Sequence, residues 1–239
     1  MIQNIQKYSL NELIQIAEKK YPLTFEPIKI GGISLSILQI KDLESYIDKL
    51  AQTQEQIELP FWAKIWPASV LLTHFLLKYI PTNSNKTVLE IGAGLGLCGL
   101  FLAKKGFKVI LSDIEPDALL FMQINILKNK LNKNAEVKKI NFIESQNIEP
   151  VDYIIGSEVL YLEHSYRPLV KFLSKNLKAK KENEVILSQS YTRKSNHFFD
   201  LAKKEFHIQQ KTIGYKSQDD TDNEKFLCNI FRLKLKKYV

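Results

Sequence analysis

Val88-Leu89-Glu90-Ile91-Gly92-Ala93-Gly94-Leu95-Gly96-Leu97-Cys98-Gly99 joins a short apolar run to alternating glycines, and the helix-forming residues 97–105 follow. The order is strand, tight turn, helix. Glycine suits a chain that turns sharply and lets a ligand lie against bare backbone, while the helix start offers unpaired N–H groups. Two glycine spacings overlap here. Gly94, Gly96 and Gly99 fit G-x-G-x-x-G, the dinucleotide spacing, with Asp113 standing about 20 residues on as an acid for a ribose. Gly92, Gly94 and Gly96 fit E-x-G-x-G-x-G, with Glu90 at the strand end. The second spacing fits better, because its first glycine follows the strand directly. It also spares a pyrophosphate the repulsion of Glu90; a carboxylate there suits a ligand that carries a cation.

Downstream, Gly106 ends the helix, and residues 107–112 read as a second strand finishing at Asp113. Pro116 opens a helix over 116–131. An acid at such a strand tip can accept hydrogen bonds from both hydroxyls of a ribose; the other use for it is to cap the next helix. Residues 137–142 form a third strand ending in Asn141-Phe142. Residues 152–156 form a fourth, which delivers Ser157-Glu158-Val159-Leu160-Tyr161 to the carboxyl edge of the sheet, where ligands of open α/β sheets bind. Pro168 starts a helix to Lys178, 184–190 is a fifth strand, 196–204 a helix, and 206–213 and 226–235 are the last two strands. Between these lies a polar loop over 216–224 whose Asp219, Asp220 and Asp222 read as a solvated hairpin tip.

Upstream, Ser9 and Glu12 make a capping box, with Tyr8 and Leu13 placed as a staple. Ile28 and Ile30, then Gly31-Gly32, then Ile33, Leu35 and Ile37 give a β-hairpin, and Leu43, Ile47, Leu50 and Ala51 mark one face of a second short helix. Pro60-Phe61-Trp62-Ala63-Lys64-Ile65-Trp66-Pro67 then places both tryptophans of the chain within five positions, ahead of an apolar helix over 70–79. They suit a lid on a ligand or a wall of a substrate site; anchoring the hairpin to the core is the other reading. The division expected is an extension over 1–59 and a main domain over 60–239.

Of the 239 residues, 45% are hydrophobic and 25% charged, as in an ordinary globular protein. No run approaches the ~20 apolar residues of a membrane span, and the first residues are polar and periodic, so a cytoplasmic, non-membrane protein is expected. Cys98 and Cys228 read as buried free thiols. The four histidines show no ligand spacing with them, so no metal site is expected. The net charge of +8 permits an acidic partner. Its lysines, however, are spread without the aromatic interleaving of a stacking groove, which favours a solvated surface over nucleic-acid binding.

With these residues placed, the chain from about Pro60 onward resembles the seven-strand, S-adenosylmethionine-dependent methyltransferases of the methyltransferase-like lysine methyltransferase family. The shared features are Glu90-x-Gly92-x-Gly94-x-Gly96, the acid-x-x-aromatic Glu158-Val159-Leu160-Tyr161 after the fourth strand, and the tryptophan stretch ending in Trp66-Pro67. Asn141-Phe142 departs from the pattern, since relatives often carry Asp-Trp there. The resemblance implies an α/β fold: a Rossmann-like sheet of seven strands, mostly parallel with the last antiparallel, helices on both faces, and the helix-hairpin-helix extension packed on the core. It implies S-adenosylmethionine as cofactor, with S-adenosylhomocysteine as product. The cofactor would be held by Trp66, Glu90, Gly92, Ala93, Gly94, Gly96, Asp113, Ile114, Asn141, Phe142, Ser157 and Tyr161. In this pattern Glu90 faces the methionine amine and Asn141-Phe142 the adenine. Glu158 and Tyr161 would be catalytic, with Trp62, Glu158 and Tyr161 lining the acceptor site.

The acceptor implied is a lysine side chain of a protein, with a small-molecule amine as the alternative. Nucleic acid is disfavoured because Ser157-Glu158-Val159-Leu160 lacks the prolines of an Asn/Asp-Pro-Pro-aromatic tip. A non-catalytic cofactor-binding module and an NAD-dependent oxidoreductase are more remote alternatives. Methyl transfer to lysine needs a neutral amine, and at pH 7 removing the proton costs about 4.6 kcal/mol. A lone carboxylate at Glu158 would favour the ammonium, so its roles are to capture the cation and to accept a hydrogen bond or proton. Desolvation by Trp62, Trp66 and Tyr161 works the other way, toward the neutral amine. An ordinary acid at a helix start is the bland use of Glu158.

Overall fold

Period-two alternation sets the centre of the molecule. In β3 (Thr87–Glu90), Val88 faces one apolar layer and Leu89 the other, and in the neighbouring β6 (Tyr153–Ser157), Ile155 and Ile154 divide the same way. A strand with both faces buried belongs to a parallel sheet covered by helices. The computed structural model describes residues 5–53, 60–82, 85–144, 148–216 and 225–238; the acidic loop with Asp219, Asp220 and Asp222 lies outside them.

Seven strands form one sheet. From one edge to the other they are β5 (Ala135–Lys139), β4 (Lys108–Asp113), β3, β6, β7 (Glu184–Ser190), β9 (Lys225–Leu235) and β8 (Phe206–Lys216). The pairings β5-β4-β3-β6-β7 are parallel, and β9 runs antiparallel to both β7 and β8. The last strand is therefore the reversed one, as expected. One face is covered by α3 (Pro67–Tyr79), α4 (Leu97–Lys104) and α5 (Pro116–Lys128), the other by α6 (Tyr166–Asn176) and α7 (Asn196–Ala202). The chain leaves β3 for β4 on one side and returns to β6 on the other, which opens a crevice at the carboxyl ends of these strands.

The extension comprises α1 (Leu10–Glu18), β1 (Leu23–Ile30), β2 (Ile33–Ile40) and α2 (Leu43–Thr53). Ser9 and Glu12 form the expected capping box, and Leu13 and Ala17 are buried beneath it. The hairpin turns on Gly31 and Gly32, whose φ of +58° and +83° few other residues adopt. The outer edge of β2 is answered by two side chains one helical turn apart, one on α5 and one at its C-terminal cap. Asn125 Oδ1 accepts the Leu38 amide at 2.7 Å, and Asn129 Oδ1 accepts the Ser36 amide at 2.9 Å. An amide side chain thus does what a further strand would do for a sheet edge.

Several boundaries differ from the sequence reading by up to three residues, and two of them have a local cause. The third strand stops at Lys139, because the Asn141 side chain accepts the Ile143 amide at 3.0 Å and bends the chain into a turn. The helix read from Pro168 begins at Tyr166, so the proline lies inside its first turn, where a missing N–H costs nothing.

Candidate active site

The turn after β3 holds Gly92, Gly94 and Gly96 at φ of +54°, +55° and +78°, which accounts for glycine at every second position. Gly94 is constrained twice, since a Cβ there would stand 2.7 Å from the carbonyl oxygen of Trp62. Gly99 does a different job: a Cβ on it would strike Leu111 of β4, so the glycine lets α4 lie close on the sheet. Gly96 also faces inward, toward Leu111 and Met122.

A cleft of about 990 Å³ opens at this edge. It brings together Trp62, Trp66, Glu90, Gly92, Ala93, Gly94, Asp113, Ile114, Asn141, Phe142, Ser157, Glu158 and Tyr161. Of the residues expected there from sequence, Gly96 alone is not on its wall; it shapes the turn from behind.

Glu90 is buried, and its Oε2 accepts the Gly99 amide at 2.7 Å. Desolvation outweighs that bond and those from Cys98, and pushes its pKa up to about 7. Asp113 is also buried, and burial raises its pKa against the pull of three amides. Its Oδ2 accepts from Gly94 at 2.9 Å, and its Oδ1 from Ile114 at 2.8 Å and Glu115 at 3.1 Å. The carboxylate expected to meet a ribose is thus also the brace that ties β4 to the glycine turn. Glu115, which the sequence reading passed over, puts a second carboxylate on the same wall. Its signal was its place beside Asp113, ahead of Pro116.

The tip of β6 turns through Glu158, a non-glycine residue at φ +56°. Conformations of this kind cost energy and cluster at sites where a side chain must be aimed. Here Glu158 Oε1 accepts the Ser190 amide at 2.6 Å, and Oε2 accepts Arg193 Nε at 3.0 Å. Ser190 ends β7, the strand beside β6, and Arg193 follows it and lines the cleft. Sequence reasoning missed Arg193, because its polar loop acquires meaning only through the pairing of Ser157 with Ser188. Tyr161 stands exposed at the mouth. The burial it has, and then the charges of Asp113 and Glu115, push its phenol up.

The two tryptophans differ in their surroundings. Trp62 packs edge-on against Phe121 at 4.9 Å and Tyr21 at 5.8 Å between ring centroids, an anchor that also reaches the cleft. Trp66 Nε1 donates to the Phe61 carbonyl at 3.1 Å, and Lys64 Nζ lies 5.2 Å from its ring centroid. Asn141 and Phe142 reach the cleft from the turn beyond β5. Asn141 Nδ2 donates to Glu144 Oε1 at 3.0 Å, and the Phe142 ring lies 6.5 Å from Phe172. From the extension, Tyr21 and Tyr46 complete the wall; Tyr21 is fixed by donating to Asp117 Oδ2 at 2.7 Å. Among the described residues no group of three or more His, Cys, Asp or Glu side chains could hold a metal ion.

A family described as Lysine methyltransferase matches residues 46–205. Over 131 residues the chain is 31% identical to the protein N-lysine methyltransferase METTL21A of Danio rerio, covering 52% of this chain and 60% of that protein. Over 162 residues it is 28% identical to the METTL21A of Xenopus tropicalis, covering 65% and 73%. Among solved structures, a TehB-like SAM-dependent methyltransferase from Corynebacterium glutamicum superposes with a TM-score of 0.53 at 16% identity, over 81% of this chain and 98% of that one. That likeness concerns the fold.

Proposed function

Because the chain belongs to the lysine methyltransferase family, we propose that its cleft takes S-adenosylmethionine and that it methylates a lysine side chain of a protein. The observation that carries this reading is one cleft holding the glycine turn, the buried Glu90 and the aimed Glu158 together. Its volume lies in the range of about 300–1,000 Å³ of small-molecule sites.

The residues fit such a cofactor. A buried carboxylate whose pKa is pushed to about 7 lacks a counter-charge, and an amino group arriving beside Glu90 supplies one. Asp113 and Glu115 offer acceptors to hydroxyls, Ile114, Ile140 and Phe142 form an apolar slot for a base, and Trp66, Gly92, Ala93, Gly94, Asn141, Ser157 and Tyr161 complete the wall. Bound there, the cofactor supplies a methyl group on a sulfonium, open to in-line attack. The protein's part is to place a neutral amine in that line. Glu158, fixed on both oxygens, meets and orients the acceptor. Arg193 offsets its charge, so the pair holds an ammonium less strongly than a lone carboxylate would, and the proton leaves more readily. Trp66 and Tyr161 shield the amine from water, and Trp62 props the turn that carries Trp66.

Residues 1–59 serve in this reading as an extension that walls the cleft through Tyr21 and Tyr46, and residues 60–239 as the catalytic domain. We place the protein in the cytoplasm. In support, no helix among the described residues is long and apolar enough to cross a membrane, and both cysteines are buried free thiols.

The test is transfer of radiolabel from S-adenosylmethionine into lysate proteins by the wild type and by Glu158→Gln. Labelled protein bands that vanish with the variant are expected. Label confined to the low-mass fraction would move the acceptor to a small amine, and no label at all would defeat the reading.

A further inference from the structure

We infer that the acceptor carries a carboxylate beside its amine, and that Arg193 is the residue that recognises it. This rests on the methyltransferase reading above and names the acceptor's neighbourhood.

Arg193 engages Glu158 through Nε alone, at 3.0 Å. Its two terminal nitrogens make no hydrogen bond or ion pair among the described residues, and its side chain is 39% exposed, at the cleft wall. The backbone that carries it is held in place. The Arg193 amide donates to the Ser190 carbonyl at 3.1 Å, its own carbonyl accepts Gln189 Nε2 at 3.0 Å, and Gln189 Oε1 accepts Ser195 Oγ at 2.9 Å. A planar fork with its outer edge open and its backbone pinned is a preorganised receptor for a carboxylate.

Charge balance points the same way. The Glu158-Arg193 pair is neutral, and an acceptor ammonium arriving alone would leave the half-buried pair with an excess cation. If a carboxylate of the same acceptor lies on the outer edge of Arg193, the four charges cancel. Glu158 then keeps one partner on each side, and no buried charge is left unmatched. Among the other carboxylates of the wall, Glu115 lies just past the end of β4, three strands from β7. Glu90 and Asp113 are turned to backbone amides, and Asp117 is held by Lys20 Nζ at 2.8 Å and by Tyr21. The other cation on the wall, Lys64, is seated over Trp66. The chain's net charge of +8 favours approach of an acidic surface.

The carboxylate of the cofactor itself is the competing partner, and the sheet argues against it. Glu90 ends β3, whereas Arg193 follows β7, two strands away, or about 10 Å at the spacing of paired strands.

The experiment maps lysines that gain a deuterated methyl group when the full-length enzyme and deuterated-methyl S-adenosylmethionine are added to a lysate, with mass spectrometry as the readout. For the wild type, the lysines labelled are expected to have Asp or Glu beside them in the sequence or in the folded acceptor. Arg193→Ala is expected to cut that labelling about tenfold or more, Arg193→Lys less, and Arg193→Glu to move labelling toward lysines beside Lys or Arg. The sites labelled by the wild type test the inference even if a variant fails to fold. Wild-type sites without neighbouring acids would overturn it, as would undiminished labelling of acid-flanked sites by Arg193→Ala. Weaker binding of S-adenosylhomocysteine to Arg193→Ala would overturn it by assigning Arg193 to the cofactor. A wild type that labels no lysine would instead defeat the methyltransferase reading.

Discussion

At the amino ends of the strands, Asp152 and Glu184 are each gripped by cationic side chains, while at the carboxyl ends Glu90 and Asp113 are answered by backbone amides. Asp152 takes Lys86 Nζ at 3.0 Å, Lys178 Nζ at 2.8 Å and the Thr87 amide at 3.0 Å. Glu184 takes the Tyr79 hydroxyl at 2.7 Å and Arg232 Nε at 2.9 Å, and the same guanidinium lies 4.3 Å from the Tyr79 ring centroid. At the amino edge these two carboxylates are matched by the chain's own cations. The carboxyl edge holds negative charge that the chain leaves to amides, which suits a site whose counter-charge comes with a ligand. Glu158 stands between the two cases, carboxyl-edge in position yet paired with a cation that faces the cleft.

This contrast is sharpest in what each edge does when an acid is removed. Glu158→Gln keeps the bond from the Ser190 amide and loses the charge that Arg193 and an acceptor amine share. The rate of methyl transfer is expected to fall about 10²- to 10⁴-fold, while thermal unfolding changes little. An unfolding temperature that drops as steeply as the rate would make Glu158 a structural acid like Asp152.

Next in size is Glu90→Gln, in which the two edges respond to pH with opposite sign. The pKa of Glu90 is raised from 4.5 to about 7, so its contribution to stability is fully present below the unfolded value and is lost as pH rises through about 7. The substitution removes a burden of about 3 kcal/mol on the ligand-free protein at pH 8. Denaturant unfolding should show the variant more stable than the wild type there and equal to it only below the unfolded value of 4.5, while calorimetry shows binding of S-adenosylhomocysteine weakened. For Asp152 burial works upward, but the bonds from Lys178, Thr87 and Lys86 outweigh it and hold the pKa below the ordinary value. Its stabilisation is therefore present above 3.8 and is lost as pH falls through the lowered value. Asp152→Asn leaves two lysines facing each other and is expected to cost about 2–3 kcal/mol at pH 7. In the folded fraction the specific activity should stay at the wild-type level; lost activity there would mean that the two edges are coupled.

Much of this is legible in the residues alone. The strand-glycine-helix unit, the bounds of β7 at Glu184 and Ser190, the capping box at Ser9 and the placing of Glu158 at a strand tip all follow from local pattern, where side-chain period and turn chemistry agree. What escaped depends on neighbours that sequence does not order. Arg193 lies in an unremarkable polar loop until β7 is laid beside β6. The three amides on Asp113 come from the path of two turns. Asn141-Phe142 continued a plausible strand, and the turn in which Asn141 accepts the Ile143 amide on its side chain and the Glu144 amide on its carbonyl ends it. Trp62 and Trp66, read together from their closeness in the chain, separate because α5 offers Phe121 to one of them alone.

The smallest effect concerns how the extension is tied to the carboxyl edge. Asn125, fully buried on α5, accepts the Leu38 amide at 2.7 Å and donates to the Leu95 carbonyl in the glycine turn at 3.2 Å, so one side chain spans the hairpin and the cofactor wall. Asn125→Ala strands a buried donor and a buried acceptor at once, and is expected to cost about 1–3 kcal/mol. If the bond to Leu95 helps to hold the turn, binding of S-adenosylhomocysteine weakens a few-fold as well, and proton exchange at the Leu38 amide quickens. Asn129→Ala, one turn along the helix and bonded to Ser36 but not to the glycine turn, should lose hairpin protection and leave the binding unchanged. Equal binding losses in the two variants would show that the extension acts on the cleft as a whole rather than through Asn125.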